Sequence, residues 1–362
     1  MLVIHRGLSS GSPEGHQVQG FEIFRDDFLR RLNVEVVMVE ALTLGEIERA
    51  YDANPSDVAL VMISWRETAE DAAAFFRGLS EKPGRGKIIF LDYYAPTSTP
   101  HFGVLPHVDR FAKRQVLKDR SAYQRDYDGG LLFTDFLSKE LGYELNGWNF
   151  SSKPDPDQVH KVKSCWNLST TRKYMNLLSV TRPLRAAWNL RPIVLNRRIG
   201  KININAHKEW YQQYRELALE KMEPLTRRYR STGNGPIPAR RYLMEMMMCK
   251  IVVSPFGWGE LCFRDYETVA AGALLIKPSM EHLVTSPDIF KPNETYVPIR
   301  WDLTDLVEVC EHYLSHPDEA RRIIKNAQDV LHDYYHGDGF VNDVGRIIDF
   351  GEADVEGATT SA

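Results

Sequence analysis

Two successive series of short apolar runs, each run leading into a helical pattern, constrain this chain more than any other feature. In the first, "LVIH" passes through a glycine-rich loop into "FEIFRDDFLRRL", where Phe21, Phe24, Phe28 and Leu32 recur at helical spacing. "VEVVMVE", the helix "LGEIERAYDA", "VALVMIS", the helix "AEDAAAFFRGL" and "KIIFLD" continue the alternation. Strands joined by amphipathic helices form βαβ units, whose strands run parallel and are covered on both faces. Residues 1–145 are therefore expected to form a Rossmann-like domain. Between 146 and 190 the periodicity fades: "SSKPDPDQ" is polar and broken by proline, and "TTRKYMNLLSV" reads as a helix. The junction between domains is placed there. A second series over 191–337 opens on "RPIVLN" and runs through the helix "HKEWYQQYRELALEKME", a strand at "TRRYRS", the helix "PARRYLMEMMM" and the strands "KIVVSP" and "ALLIK". It closes on "YVPI" and the helices "LTDLVEVCEHYL" and "PDEARRIIKNAQDVLHDYY"; a last helix, "FVNDVGRIIDF", falls within 338–350. The tail, 351–362, is small, polar and acidic with nothing to bury, and is expected to lack structure. A length of 362 residues is too great for one core and too small for three, in keeping with an α/β protein of two Rossmann-like domains facing a cleft.

Chemistry concentrates in "SPFGWGELCFRDYETVAAGALLIKP", residues 254–278. A buried-type strand ends at Ser254, and Ser254, Gly257, Trp258 and Gly259 are expected to contact the ligand, the glycines letting the backbone approach it closely. The helix that follows presents unpaired N–H groups and a positive dipole end beyond the carboxyl edge of a sheet, where a phosphate is expected to sit. Arg264 stands in the opening turns of that helix, where a cation opposes the dipole unless a bound anion compensates. Glu267 lies one turn later on nearly the same face, placed to accept hydrogen bonds from a ribose diol. An i,i+3 surface pair is the plainer alternative for these two residues. Trp258 could stack on a base or sugar, or pack in the core.

The pattern Y-x-x-x-M-x-x-C-K-I-V-V-S-P-x-G…R-x-x-E-x-x-A-x-G-A-L-L-I, from Tyr242 to Ile276, resembles the donor-binding half of exostosin-like and CgeB-like glycosyltransferases of the two-lobed GT-B fold. The resemblance covers about residues 238–335. In that wider class a glutamate five residues before a glycine binds the nucleotide ribose, and Glu267 stands five before Gly272. A second glutamate usually lies eight positions earlier; here Gly259 holds that place and Glu260 is one residue off. The resemblance implies a nucleotide-diphosphate sugar donor, UDP- or GDP-linked, with no further cofactor and no metal, and a last helix that crosses back onto the first lobe. It also implies a glycan or other hydroxyl acceptor, as in polysaccharide biosynthesis. Exostosin-like members invert, which favours a base in the first lobe.

Other candidates follow from position. Arg197, Arg198 and Lys201 lie beyond the first strand of the second domain and suit a diphosphate leaving group, although a solvated basic turn is the equal alternative. In the first lobe, His16 and Glu14 sit in the long loop "RGLSSGSPEGHQVQG", and Asp92 ends "KIIFLD"; each is a candidate general base. Asp92 could instead cap the following turn. The D-x-D triplets at 126–128 and 155–157 do not follow strands and suggest no metal site, and "MEMMM" reads as a core stripe.

A formal net charge of −4 provides no overall field that would gather nucleic acid, so no nucleic-acid partner is expected. Four scattered cysteines, the absence of a signal-peptide pattern at "MLVIHRGLSS" and the lack of any membrane-length apolar run point to a cytoplasmic protein without an integral membrane segment. Two alternatives remain open at this level: a non-catalytic nucleotide- or glycan-binding module, and another double-Rossmann enzyme such as a sugar-nucleotide epimerase or a phosphorylase.

Overall fold

The structure of the protein, a computed structural model, describes residues 1–9, 12–199 and 209–349. Its first lobe runs β1 (Leu2–His5), α1 (Pro13–Ile23), α2 (Arg25–Leu32), β2 (Val37–Glu40), α3 (Leu44–Ala53), β3 (Val58–Val61), α4 (Ala69–Ser80), β4 (Lys87–Asp92), β5 (Arg110–Lys113), β6 (Gln115–Leu117), α5 (Leu132–Leu141) and β7 (Val162–Ser164). The remainder runs α6 (Arg172–Thr181), β8 (Ile193–Asn196), α7 (Glu209–Lys221), α8 (Glu223–Arg228), α9 (Ala239–Met248), β9 (Cys249–Val253), α10 (Phe263–Ala271), β10 (Leu274–Pro278), β11 (Leu283–Thr285), β12 (Val297–Ile299), α11 (Leu306–Ser315), α12 (Pro317–His336) and α13 (Gly339–Ile348).

The expected βαβ logic produces two parallel sheets. One has the order β2-β1-β3-β4-β5-β7 and the other β12-β10-β9-β8. Apolar side chains on both faces of the central strands explain the near-continuous runs: four residues of β3 and β4 pair in register from Val58 with Lys87 to Val61 with Phe90, and β9 and β10 are almost wholly buried. Local signals set helix ends where the spacing placed them. Thr43 and Glu46 form a capping box on α3, Thr68 caps α4, and Thr171 caps α6 by accepting from the Tyr174 N–H. Gly272 ends α10 with φ +68°, a left-handed turn that permits the immediate entry into β10.

Two segments differ from expectation. β7 lies inside the segment expected to join the domains, yet it pairs with β5 through Phe111 and Val162 and forms an edge of the first sheet. The strand expected at "TRRYRS" is instead the end of α8, started by Pro224 and supported by a Glu223–Arg227 pair, with only Ser231 bridging Leu195.

A shared pair of strands and the last helix are among the contacts that join the lobes. β6 leaves the first sheet and pairs antiparallel with β11 of the second lobe, Gln115 facing Thr285. The last helix crosses back as expected: Phe340 of α13 packs against Phe21, Phe24 and Phe28, and Arg110 donates to the carbonyl of Ile347 at 2.9 Å. Among the described residues no helix is long and apolar enough to cross a membrane.

Candidate active site

A cavity of about 520 Å³ lies between the lobes, and three helices direct their amino ends towards it. Pro13 and His16 come from α1, Lys173 and Tyr174 from α6, and Phe263 and Arg264 from α10, with Cys262 as the α10 N-cap. Helix amino ends carry unpaired N–H groups and partial positive charge, so their convergence favours an anion before any side chain is counted.

α10 is fixed by a buried network. Asp265 accepts from the Cys262 N–H at 2.9 Å and from Ser254 Oγ at 2.5 Å, and it pairs with Lys277 at 3.1 Å, with no exposure on either side chain. Ser254 therefore acts on the helix through Asp265 and does not line the cavity, contrary to the direct ligand contact expected of it. From this anchored helix Arg264 and Glu267 both face the cavity. Arg264 donates from Nη2 to the carbonyls of Arg198 and Ile199 at 3.1 and 2.8 Å, while its Nε and Nη1 are buried without a hydrogen-bond partner. Burial works to lower the Arg264 pKa, but Tyr242, Cys262, Asp265 and Glu267 outweigh it and hold the guanidinium firmly charged. Glu267, 7% exposed, accepts from Lys173 Nζ at 2.6 Å, and that contact fixes the orientation of its carboxylate. The i,i+3 Arg–Glu pair is thus not self-satisfied: the glutamate takes a lysine from α6, and the arginine, with Tyr242 as its neighbour, has no carboxylate on Nε or Nη1.

The glycine loop has two functions. Gly257 and Trp258 line the cavity, and the half-buried Trp258 ring meets Trp65 at 5.3 Å and Phe150 at 5.1 Å. Gly259 also lines it, but a Cβ there would lie 1.9 Å from the Ala95 carbonyl oxygen, so the glycine serves the close approach of the two lobes. Glu260, 1% exposed, completes that contact by accepting from Thr97 Oγ1 and Gln115 Nε2 of the first lobe, each at 3.2 Å.

Of the basic turn after β8, Arg198 reaches the cavity, but its guanidinium is held by Glu245 (3.0 Å from Nη2) and by the Gly235 carbonyl at 2.9 Å. The Arg197 side chain does not line the cavity; its N–H donates to Thr232 Oγ1 at 2.8 Å. Lys201 lies outside the described residues, as does the tail 351–362.

The three candidate bases separate. His16 is buried and lines the cavity, its ring 4.6 Å from Phe263 and its Nδ1 3.2 Å from the Leu168 carbonyl. Because a carbonyl can only accept, Nδ1 carries a proton and Nε2 is the basic nitrogen of the neutral ring. Glu14, two residues before it on α1, is half-buried and outside the cavity lining. Asp92 is a correction: fully buried, it pairs with Lys113 at 2.6 Å and accepts from the Tyr94 N–H at 2.7 Å, a turn-capping ion pair beneath the cleft instead of a base within it. The D-x-D residues are likewise used locally, Asp126 by Lys153 and Asp128 by Ser138, and neither lines the cavity.

Several lining residues were not singled out from the sequence. Lys173 could have been, since it is a cation in the first turn of a helix, the same signal that marks Arg264. Tyr242, whose phenol burial pushes up against the opposing pull of Arg264, sits beside both Arg264 and Glu267. Arg215 lies over the Tyr211 ring at 4.3 Å, and Arg114 enters from the first lobe; neither carries a local signal of its role.

No curated protein matches the chain in sequence. Among solved structures, an alpha-glucosyltransferase in complex with UDP-glucose and DNA containing an abasic site aligns with a TM-score of 0.53 at 11% identity, over 96% of this chain and 98% of that one. An alpha-glucosyltransferase in complex with UDP and a 13-mer DNA containing an HMU base aligns equally, with a TM-score of 0.53 at 10% identity over the same shares. At such identity the likeness speaks for the fold. Residues 188–339, the lobe that carries Arg264 and Glu267, match the family model described as glycosyl transferase-like, and the chain as a whole has the GT-B glycosyltransferase fold.

Proposed function

We propose that the protein transfers a sugar from a nucleotide-diphosphate donor to an acceptor hydroxyl, most simply that of a glycan. The observation that carries this is Arg264, a charged side chain at a helix amino end with two buried N–H groups unspent, beside a carboxylate one turn away and open to a cavity between lobes. A buried donor without a partner costs about 1–3 kcal/mol, more for a charged group, and a phosphate oxygen would remove that cost. The donor's phosphates would lie against the start of α10 and Arg264, and its ribose hydroxyls would be accepted by Glu267, which Lys173 holds in place. Charge developing on the departing nucleotide diphosphate would be met by the guanidinium and the helix amino ends, so that these groups could do without a metal ion.

His16 enters the same cavity from the opposite lobe. With Nδ1 turned to the Leu168 carbonyl, its Nε2 would take the proton of the attacking hydroxyl. Uridine is the first base to test, because relatives of the same fold are described in complex with UDP or UDP-glucose. DNA in those complexes is a feature of those proteins; the net charge of −4 here favours an acceptor that is not a polyanion.

Two variants test the proposal. Glu267→Ala is expected to weaken UDP or GDP binding about tenfold to a hundredfold by calorimetry, since it removes the ribose acceptor and leaves Lys173 without its partner. Wild-type affinity in that variant would refute the ribose assignment. His16→Gln is expected to lower kcat about a hundredfold or more while leaving the donor Kd unchanged. A variant that retains full turnover would remove His16 from the reaction. Slow donor hydrolysis with no acceptor present, or nucleotide binding without any turnover, would separate transfer from a purely binding module.

A further inference from the structure

Arg114 joins the lobes. It follows β5 of the first sheet and precedes β6, which pairs with β11 of the second lobe, and both neighbours are tied down: Lys113 to Asp92 at 2.6 Å, and Gln115 to the Ala95 carbonyl at 2.5 Å and Glu260 at 3.2 Å. The backbone therefore offers the side chain one direction. Its guanidinium lines the interlobe cavity, is 2% exposed, and has Nε and Nη1 buried without a hydrogen-bond partner. Among the described residues no carboxylate forms an ion pair with it: Asp92 eases the burial of its charge from a distance but is bonded to Lys113 and the Tyr94 N–H. The other cations at the cavity are engaged: Lys173 by Glu267, Arg198 by Glu245, and Arg215 over Tyr211. Among the described residues that line the cavity, only Arg264, from the second lobe, matches Arg114 in having Nε and Nη1 both without a hydrogen-bond partner.

Two guanidiniums, one from each lobe and each with two N–H groups lacking a hydrogen-bond partner, line one cavity read as the seat of two linked phosphoryl groups. Resting on the donor-binding function proposed above, we propose that Arg114 is the first lobe's ligand for the donor diphosphate. Arg264 shares a helix face with the ribose carboxylate Glu267 and takes the phosphate next to the nucleoside; Arg114 takes the distal phosphate, which departs with the nucleotide. The diphosphate thus bridges the lobes, and a buried guanidinium that has no ion-pair partner in the empty protein gains one when the donor binds.

The test measures UDP and UMP, with GDP and GMP in parallel, by calorimetry and thermal unfolding on wild type, Arg114→Met and Arg114→Lys. In Arg114→Met, diphosphate affinity is expected to fall about tenfold to a hundredfold and monophosphate affinity to stay unchanged. Its Tm without ligand is expected to equal or exceed that of wild type, since a buried charge without an ion-pair partner has been replaced by an apolar chain of similar length. A structural arginine would give the reverse, a lower Tm in the empty protein. Arg114→Lys keeps the charge but loses the planar fork, so an intermediate diphosphate affinity is expected, and this variant decides the matter if the methionine variant does not fold. Unchanged diphosphate affinity, or equal losses for UDP and UMP, would overturn the role of Arg114 while leaving nucleotide binding intact. Failure of the wild type to bind any of the four nucleotides would overturn the proposed function, and this assignment with it.

Discussion

Arg264→Ala is expected to weaken UDP binding about a thousandfold, the largest loss of affinity from any single change in the cavity. Two charge-assisted hydrogen bonds to a phosphate are worth about 4 kcal/mol together, which is about a factor of a thousand in Kd. A second contribution comes from Nη2, which holds the carbonyls of Arg198 and Ile199 and so fixes the turn after β8. Arg264→Lys separates the two, because an ammonium keeps the charge but cannot span a phosphate and two carbonyls at once. Titration calorimetry with UDP and uridine is the measurement: the alanine variant should bind the diphosphate no better than wild type binds the nucleoside. Retained UDP affinity in the alanine variant would place the phosphates elsewhere.

Gly259→Ala is expected to lower the unfolding free energy by about 3 kcal/mol or more. The added methyl would lie 1.9 Å from the Ala95 oxygen and 2.3 Å from its carbonyl carbon, and both are backbone atoms that no rotamer change can move. Ala95 is held in turn by Gln115, and Gln115 and Thr97 are held by the buried Glu260 next to the mutated position. The lobes must therefore separate along this seam or the loop must distort. Either way the distance between the walls of the cavity changes, and donor affinity should fall along with stability. Gly257→Ala is the matched control: its methyl would meet the Tyr211 ring at 3.3 Å, a contact a side chain can relieve. Denaturant unfolding of the two variants compares them directly, and equal stabilities would show that the Gly259 contact does not hold the lobes together.

Much of the second lobe was legible because its signals are local. The end of β9, the dipole-opposed Arg264, the carboxylate one turn on and the left-handed Gly272 all belong to one continuous stretch, and each requires only neighbours in the chain. Helices α3 and α4 were equally readable, since a threonine cap and an apolar stripe define both. β6, β7 and β11 were not, because a three-residue strand is too short to show a period and its pairing partners lie far away in sequence. For the same reason the segment read as the domain junction, 146–190, contains β7, which the first sheet recruits through β5.

Candidate site residues divided along the same line. Position beyond a strand brought Arg198 and Asp92 forward, but position does not reveal the partner: Glu245 occupies the first and Lys113 the second. Ser254 was drawn into the Asp265–Lys277 network behind the helix. Arg114 and Lys173, with the strongest claim on an anion and on Glu267, arrive from elements 150 and 94 residues away from Arg264 and Glu267 respectively (264 − 114 and 267 − 173).

By itself the sequence determined the alternation of strands and helices, and hence two parallel sheets, because hydrophobic period and capping chemistry act over a few residues. It also determined the glycine-broken turn before α10, which needs only a strand end, small residues and a helix start. Only the tertiary structure decided which charges remain unspent. A cation's availability to a ligand depends on whether a carboxylate from elsewhere in the chain reaches it, and that is settled by how the lobes pack. Here the packing neutralised Arg198 and Lys113, seated Glu267 on Lys173, and left Arg264 and Arg114 facing one cavity from opposite lobes.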